Sequence, residues 1–214
     1  MNSEPTVYVV DDDAAVRNSL RFLIETAGFR VETFANAREF LGGYDSEIPG
    51  CLVLDVRLPG SSGLDLQQQL VAEGITVPVI IVTGHGDVPI AVRAMRTGAI
   101  DFIEKPYDDQ LLLDRIRHAV DLDIRNRRDR AQRQDILSRL ALLTPREREV
   151  LEGVVGGNAN KQIAGDLGIS TKTVEAHRAH VMEKMRVESL AELVRLVQIA
   201  GVTRDRVPVK SGAP

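Results

Sequence analysis

Residues 79–106 read VIIVTGHGDVPIAVRAMRTGAIDFIEKP. The first five, VIIVT, are short, apolar and largely β-branched, and a turn rich in glycine follows them, so they read as a buried strand. Val88–Thr97 is periodic in its apolar residues, and Gly98 falls where the C-terminus of a helix belongs. DFIE (101–104) is a second short strand, closed by Lys105 and Pro106. The same alternation extends outward. TVYVV (6–10), FRVETF (29–34) and CLVLD (51–55) are further strands, and Ala14–Ala27, Asn36–Leu41 and Leu64–Glu73 are further helices. Gly28 and Gly74 punctuate two of those helices, and a last helix starts near Asp108. Five strand–helix units in succession imply an α/β, doubly wound parallel sheet with helices on both faces.

After residue 120 the character changes. Residues 1–120 carry 10 Lys/Arg against 18 Asp/Glu, whereas residues 121–214 carry 17 against 13. An acidic half followed by a basic half suggests two domains with different partners, the second an anionic polymer. The stretch DLDIRNRRDRAQRQDILSRL (121–140) is dense in charge and free of Gly and Pro, which predicts a solvated helical linker. From Leu140 onward only helices are readable, at Pro145–Val155, Asn160–Leu167, Ser170–Met185 and Ser189–Ile199. The expected organisation is a first domain over 1–122, a linker over 123–139, an all-α domain over 140–201 and a disordered tail over 202–214. A single cysteine, Cys51, excludes an intramolecular disulfide framework and fits a reducing compartment. Neither a signal peptide nor an apolar run of about 20 residues is visible, so the chain reads as cytoplasmic, with no membrane partner.

In parallel sheets of this kind ligands bind beyond the carboxyl ends of the strands. Asp11 and Asp12 follow the first strand, Asp55 closes the third, Thr83 closes the fourth and Lys105 follows the fifth. Singly, Asp11–Asp13 could cap a helix and Asp55 could begin a turn. Together, three carboxylates, a hydroxyl and an ammonium are expected to converge on one rim. Such carboxylates repel one another and call for a cation. Oxygen-only ligation suits Mg²⁺, which keeps waters and bridges phosphate oxygens. One aspartate can then act as a nucleophile toward phosphorus, with lysine and hydroxyl holding phosphoryl oxygens. Gly84 would leave room for the incoming group.

The segments VVDDD, LVLDVRLPGSSG, VIIVTGHGD and DFIEKP, in this order and spacing, resemble the receiver domain of two-component response regulators. The resemblance implies a flavodoxin-like sheet of strand order 2-1-3-4-5 and a phosphoacceptor at Asp55. It implies Mg²⁺ bound directly by Asp12 and Asp55, through water by Asp11, and by the backbone carbonyl of Arg57. Thr83 and Lys105 would bind the phosphoryl group, Phe102 would be the aromatic switch, and Lys105–Pro106 would be a cis peptide. His85 and Arg57 fall where members of the family tune hydrolysis of the phosphate.

The later part has its own punctuation. Thr144 precedes Pro145, with Glu147 three residues beyond the cap, which is the signature of a capping box. A short helix, the turn Gly168-Ile169-Ser170 with Ser170 as N-cap, and a long helix form a helix-turn-helix pattern. LTPREREVL, NKQIA, LGIS and TVEAH resemble the four-helix DNA-binding domain of the NarL/LuxR type, and with the receiver in front the chain is most similar to its FixJ-like branch. On the long helix Val174, Val181, Met182 and Met185 share a core face. Lys172, Glu175, Ala176 and Ala179 lie opposite as base-facing candidates, where Glu175 could accept from a cytosine amino group and the alanines could meet thymine methyls. Lys161, Thr171, Thr173, His177 and Lys184 are candidate phosphate contacts, and Arg178 is expected to pair internally with Glu147 or Glu149. The resemblance implies a sensor histidine kinase, double-stranded promoter DNA and RNA polymerase as partners, with homodimerisation on phosphorylation and activation as the output. No enzyme activity is expected beyond the protein's own phosphoryl transfer. The alternatives are a Mg²⁺-dependent aspartyl-phosphate hydrolase, or a regulator with RNA or protein output.

Overall fold

The computed structural model describes residues 4–84 and 88–201. Its contacts divide the chain into two compact units at Arg127/Arg128. In the first, β1 (Thr6–Val10), β2 (Arg30–Phe34), β3 (Gly50–Leu54), β4 (Val79–Thr83) and β5 (Asp101–Glu104) form one parallel sheet of order β2-β1-β3-β4-β5. Every residue of β1, β3 and β4 is buried, as strands covered on both faces require, whereas β2 at an edge is half-buried. The pleat sends Tyr8 and Val10 to one face, and Val7 and Val9 to the other. The first face packs against α2 (Ala37–Gly43), α3 (Gly63–Ala72) and α4 (Val88–Arg96). The second packs against α1 (Ala14–Thr26) and the first part of α5 (Asp109–Ala141).

Local chemistry sets the helix ends. Asp13 caps α1 by accepting from the Ala15 N–H at 2.7 Å. Ser62 and Asp65 form a capping box on α3. Gly28, Gly74 and Gly98 adopt positive φ of 87°, 71° and 99° just past α1, α3 and α4, where only glycine turns the chain back without strain. Lys105–Pro106 is cis. Gly50 has a different constraint, because a Cβ on it would lie 1.9 Å from the Thr6 carbonyl oxygen of the neighbouring strand.

The second unit packs the end of α5 with α6 (Pro145–Val155), α7 (Asn160–Leu167), α8 (Thr171–Met185) and α9 (Leu190–Ala200). The predicted box at the start of α6 forms, with Thr144 N–H donating to Glu147 Oε2 at 2.8 Å and Glu147 N–H to Thr144 Oγ1 at 3.3 Å. The stretch 123–139, expected as a solvated linker, is helical throughout but not wholly solvated. Asp123 is buried in the first unit, where it accepts from the Gly50 N–H at 3.0 Å, and Ile136 is buried in the second. The expectation for the tail 202–214 lies outside the described residues, as does that for His85. No helix among the described residues is long and apolar enough to cross a membrane.

Arg186, at the C-cap of α8, holds φ 54° and ψ 51° without being glycine. A Cβ in the left-handed region is strained. Arg186→Gly is therefore expected to stabilise the chain by about 0.5–1 kcal/mol, read as a shifted denaturation midpoint.

Candidate functional site

Strand register builds the rim. Val10 pairs with Leu54, so Asp11 and Asp55 leave adjacent strands at the same level. Thr83 pairs with Glu104, so Lys105 emerges one residue beyond, and its N–H donates to the Thr83 carbonyl at 2.8 Å. The Lys105 ammonium reaches both carboxylates, at 2.7 Å from Asp11 Oδ2 and 3.3 Å from Asp55 Oδ1. Asp55 Oδ2 accepts from the Arg57 N–H at 2.6 Å, and Asp11 Oδ1 accepts from the Asp13 N–H at 2.9 Å. Asp11 and Asp55 are only 4% and 7% exposed.

Burial pushes the Asp55 pKa above its ordinary range. The Arg57 N–H and Lys105 pull it down without cancelling that effect, and Asp11 adds to the rise. Burial works to lower the Lys105 pKa, but its bond to Asp11 and the charges of both carboxylates win, and the ammonium is held more tightly than usual. The site is a largely buried cluster whose two negative charges share the Lys105 ammonium.

The third carboxylate departs from the sequence expectation. Asp12 is exposed, and its backbone carbonyl, like that of Asp11, accepts from Arg17 Nη1, at 2.9 Å and 2.7 Å. Among the described residues no three His, Cys, Asp or Glu side chains group closely enough to hold a metal. Among the described residues, two carboxylates, Asp11 and Asp55, converge on the Lys105 ammonium rather than three. The donor set is nevertheless all oxygen and negative on balance, which is what a hard divalent cation with retained waters requires. The Arg57 side chain is exposed, and its N–H is directed at Asp55.

Thr83 is buried at the end of β4, and Phe102 is half-buried against the cluster on the α3–α4 face of the sheet. Among the described residues, a Cβ on Gly84 would meet nothing nearer than Lys105 Cβ at 3.9 Å. Two contributors escaped the sequence reading. Arg17 pins the backbone of Asp11 and Asp12 from α1. Gly63 lets α3 approach the Asp55 carbonyl, which a Cβ there would meet at 2.0 Å.

In the second unit, α7, the turn through Gly168 at φ 66° and Ser170, and α8 form the expected helix-turn-helix, with Ser170 Oγ accepting from the Thr173 N–H at 3.1 Å. Val174, Val181 and Met185 are buried and Met182 packs beside them. Lys172, Glu175, Ala176 and Ala179 are exposed together on the opposite side. Lys161 and Thr171 are exposed, Thr173 and His177 are half-buried, and the Thr173 hydroxyl bonds that of Ser170 at 2.8 Å. Lys184 belongs elsewhere. Its ammonium lies 2.6 Å from Glu147 Oε2 and 3.3 Å from the Leu142 carbonyl, so an internal carboxylate holds it. Arg178 pairs internally, as expected, but with Asn160 Oδ1 at 2.6 Å. Glu147 is already taken by Lys184, and Glu149 bonds Arg146 at 2.8 Å.

Comparison with known proteins bears on both units. Residues 7–117 match the response regulator receiver domain, and residues 141–197 match the luxR family of bacterial regulatory proteins. The chain is 46% identical to the transcriptional regulatory protein FixJ of Bradyrhizobium diazoefficiens, across 96% of this chain and 100% of that one. It is 50% identical to FixJ of Azorhizobium caulinodans, across 92% and 93%. Among solved structures, the response regulator StyR superposes with a TM-score of 0.83 at 48% identity, covering 92% of this chain and 99% of that one. Full-length FixJ from B. japonicum gives 0.57 at 46% identity, covering 94% and 100%.

Proposed function

This chain belongs to the two-component response regulators with a LuxR-type DNA-binding domain, as a FixJ-like transcriptional regulator, and from that premise we propose that Asp55 is its phosphoacceptor and α8 its DNA-reading helix. The family is one of transcriptional regulators rather than catalytic enzymes, which removes the hydrolase alternative. The observation that carries the proposal is the single ammonium of Lys105 between Asp11 and Asp55.

An Asp55 carboxylate oxygen attacks the phosphorus of a phosphohistidine on a sensor kinase. The P–N bond breaks, an acyl phosphate forms, and the leaving imidazole takes its proton from solvent. Asp11, Asp55 and the Arg57 carbonyl would hold Mg²⁺, and Asp12 would join them by turning its exposed carboxylate inward. When bound, that ion supplies charge screening between the carboxylates and the phosphoryl oxygens. Once phosphorylated, Asp55 offers Lys105 and Thr83 new acceptors. Lys105 exchanges a carboxylate oxygen for a phosphoryl oxygen, Thr83 turns toward the group, and Phe102 follows into the space Thr83 leaves. The receiver then homodimerises, and two copies of α8 engage a two-fold symmetric promoter and present RNA polymerase with an activator. Lys172, Glu175, Ala176 and Ala179 face the bases, while Lys161, Thr171, Thr173 and His177 meet phosphates.

Incubation with a small acyl phosphate and Mg²⁺ is expected to add one phosphoryl group per chain and to tighten binding to duplex DNA, with a steep salt dependence. Labelling without any change in DNA binding would reject the coupled reading. Glu175→Ala is expected to relax discrimination at one base position by about 1–3 kcal/mol in a binding-site selection, with other positions unchanged. A uniform loss of affinity would show that this face does not read bases.

A further inference from the structure

Helix α4 is lightly held. Among its described residues only Ala94 is buried, and Val88, Val92 and Met95 are exposed on its outer side. The neighbouring α3 buries Gly63, Leu64, Leu66, Gln67 and Leu70, and Gln67 is the polar member, 2% exposed. Its surroundings are apolar, since Leu64, Leu66, Leu70, Ala94 and Ala99 all belong to the core cluster of that face.

The Gln67 amide is half satisfied. Nε2 donates to the Ala94 carbonyl at 3.0 Å, the same carbonyl that accepts from the Ala99 N–H at 3.1 Å as α4 ends. Oε1 is buried, with no hydrogen-bond partner among the described residues. A buried acceptor without a donor penalises the state that buries it. Lifting the last turn of α4 would admit water to both ends of this amide and, of that turn's own side chains, would uncover only the single methyl group of Ala94. Leucine at the same place would reverse both effects, because it leaves nothing orphaned and loses buried apolar surface on opening. The outer links between the helices, from Arg93 to Asp65 at 2.9 Å and to Gln68 at 3.2 Å, are exposed and contribute little.

We propose that Gln67 is a release built under α4, a positioning residue that lowers the cost of displacing its C-terminal turn. The chain runs from that turn through Gly98 and Ala99 into β5, which carries Phe102 and ends beside Lys105. The release thus acts on the segment that must shift when Asp55 is phosphorylated, and this second step rests on the phosphoacceptor reading above. The first step does not.

The test is native-state hydrogen exchange on the full, unphosphorylated chain, comparing wild type with Gln67→Leu and with Gln67→Met, a more adaptable apolar side chain. The Gly98 and Ala99 amides, which donate to Met95 and Ala94, are expected to exchange at least ~10-fold more slowly in the variants, relative to the Val9 and Val53 amides as internal references. With an acyl phosphate added, the variants are expected to be labelled like wild type but to self-associate several-fold less. Equal or faster exchange at Gly98 and Ala99 would make Gln67 a clamp and overturn the proposal. Slowed exchange in a protein that takes up no phosphoryl group would uphold the release and reject the phosphoacceptor reading.

Discussion

Asp55→Asn protein is expected to take up no phosphoryl group from an acyl phosphate, and also to melt at a higher temperature than wild type at pH 7. The first result follows from the loss of the nucleophilic oxygen, since an amide does not attack phosphorus. The second follows from the electrostatics of the unmodified site. Burial raises the Asp55 pKa above its ordinary 3.8, with the Arg57 N–H and Lys105 opposing and Asp11 assisting. A carboxyl with a higher pKa folded than unfolded binds its proton better in the folded state. Stability therefore declines as pH rises from the unfolded value through the folded one, and the decline persists at pH 7. Asparagine is neutral throughout, matches the shape and keeps an acceptor for the Arg57 N–H, so that decline disappears. Calorimetry at pH 7 and at pH 4 checks the sign: the gap between the two proteins should narrow at the lower pH. A lower melting temperature for the variant at pH 7 would mean that Lys105 and Arg57 outweigh burial.

Lys105→Met is expected to act in the opposite direction, because it leaves Asp11 and Asp55 facing each other at 4% and 7% exposure without their shared ammonium. Its melting temperature should fall at pH 7 and recover in part when Mg²⁺ is added or the pH is lowered. Each of those changes removes repulsion between the two carboxylates. Asp55 thus keeps a charge that this fold does not favour, and on the proposed reading a bound cation and a phosphoryl group would act on that same charge.

The first unit was largely readable because its signals are local. Short β-branched runs, glycines at helix ends and polar residues just past each strand placed the sheet, and Asp11, Asp55 and Lys105 meet because register and topology bring strand ends together. On α8 the two differences between expectation and fold share one cause. Helical periodicity assigns a residue to a face of its own helix, but it does not name what packs against that face. Lys184 lies on a flank of α8, where a phosphate contact is a reasonable expectation, and only the fold shows Glu147, 37 positions away, beneath it. Arg178 turns inward as its face requires, but its partner is Asn160, which periodicity does not name for the same reason. Asp12 follows Asp11 directly, and alternation sends the two carboxylates to different environments, one buried against Lys105 and one exposed. Charge density concealed Asp123 and Ile136, because both sit in a stretch whose average is polar while each is individually buried. Gln67 was invisible for the converse reason: glutamine in a helix is unremarkable until its neighbours are known.

The second large effect is expected at Glu147. This carboxylate, 4% exposed, closes the cap of α6 through the Thr144 N–H at 2.8 Å and holds α8 through Lys184 at 2.6 Å, with His180 Nδ1 at 3.7 Å. One side chain thereby ties the start of the unit's first full helix to the C-terminal half of the helix proposed to read DNA. Glu147→Ala removes a cap bond and a charge-assisted bond together. The expected cost is about 2–4 kcal/mol in chemical denaturation followed at α8 amides. Lys184 is itself one-third exposed and can turn to water, so the truncation strands no buried cation and the loss stays within that range. The Lys184 bond, followed by the Thr144 N–H, lowers the Glu147 pKa from 4.5 to about 2. For a depressed carboxyl, the stabilisation is complete above the unfolded value and disappears as pH falls through the folded one. Wild type should therefore lose this contribution between about pH 4.5 and pH 2, while Glu147→Ala should show no such loss in that window. Lys184→Met separates the two roles, because it leaves the cap intact while removing the tie to α8. If Lys184→Met lowers DNA affinity more than its effect on stability predicts, the carboxylate positions the reading helix as well as stabilising the unit. If affinity and stability fall in proportion, its role ends with folding.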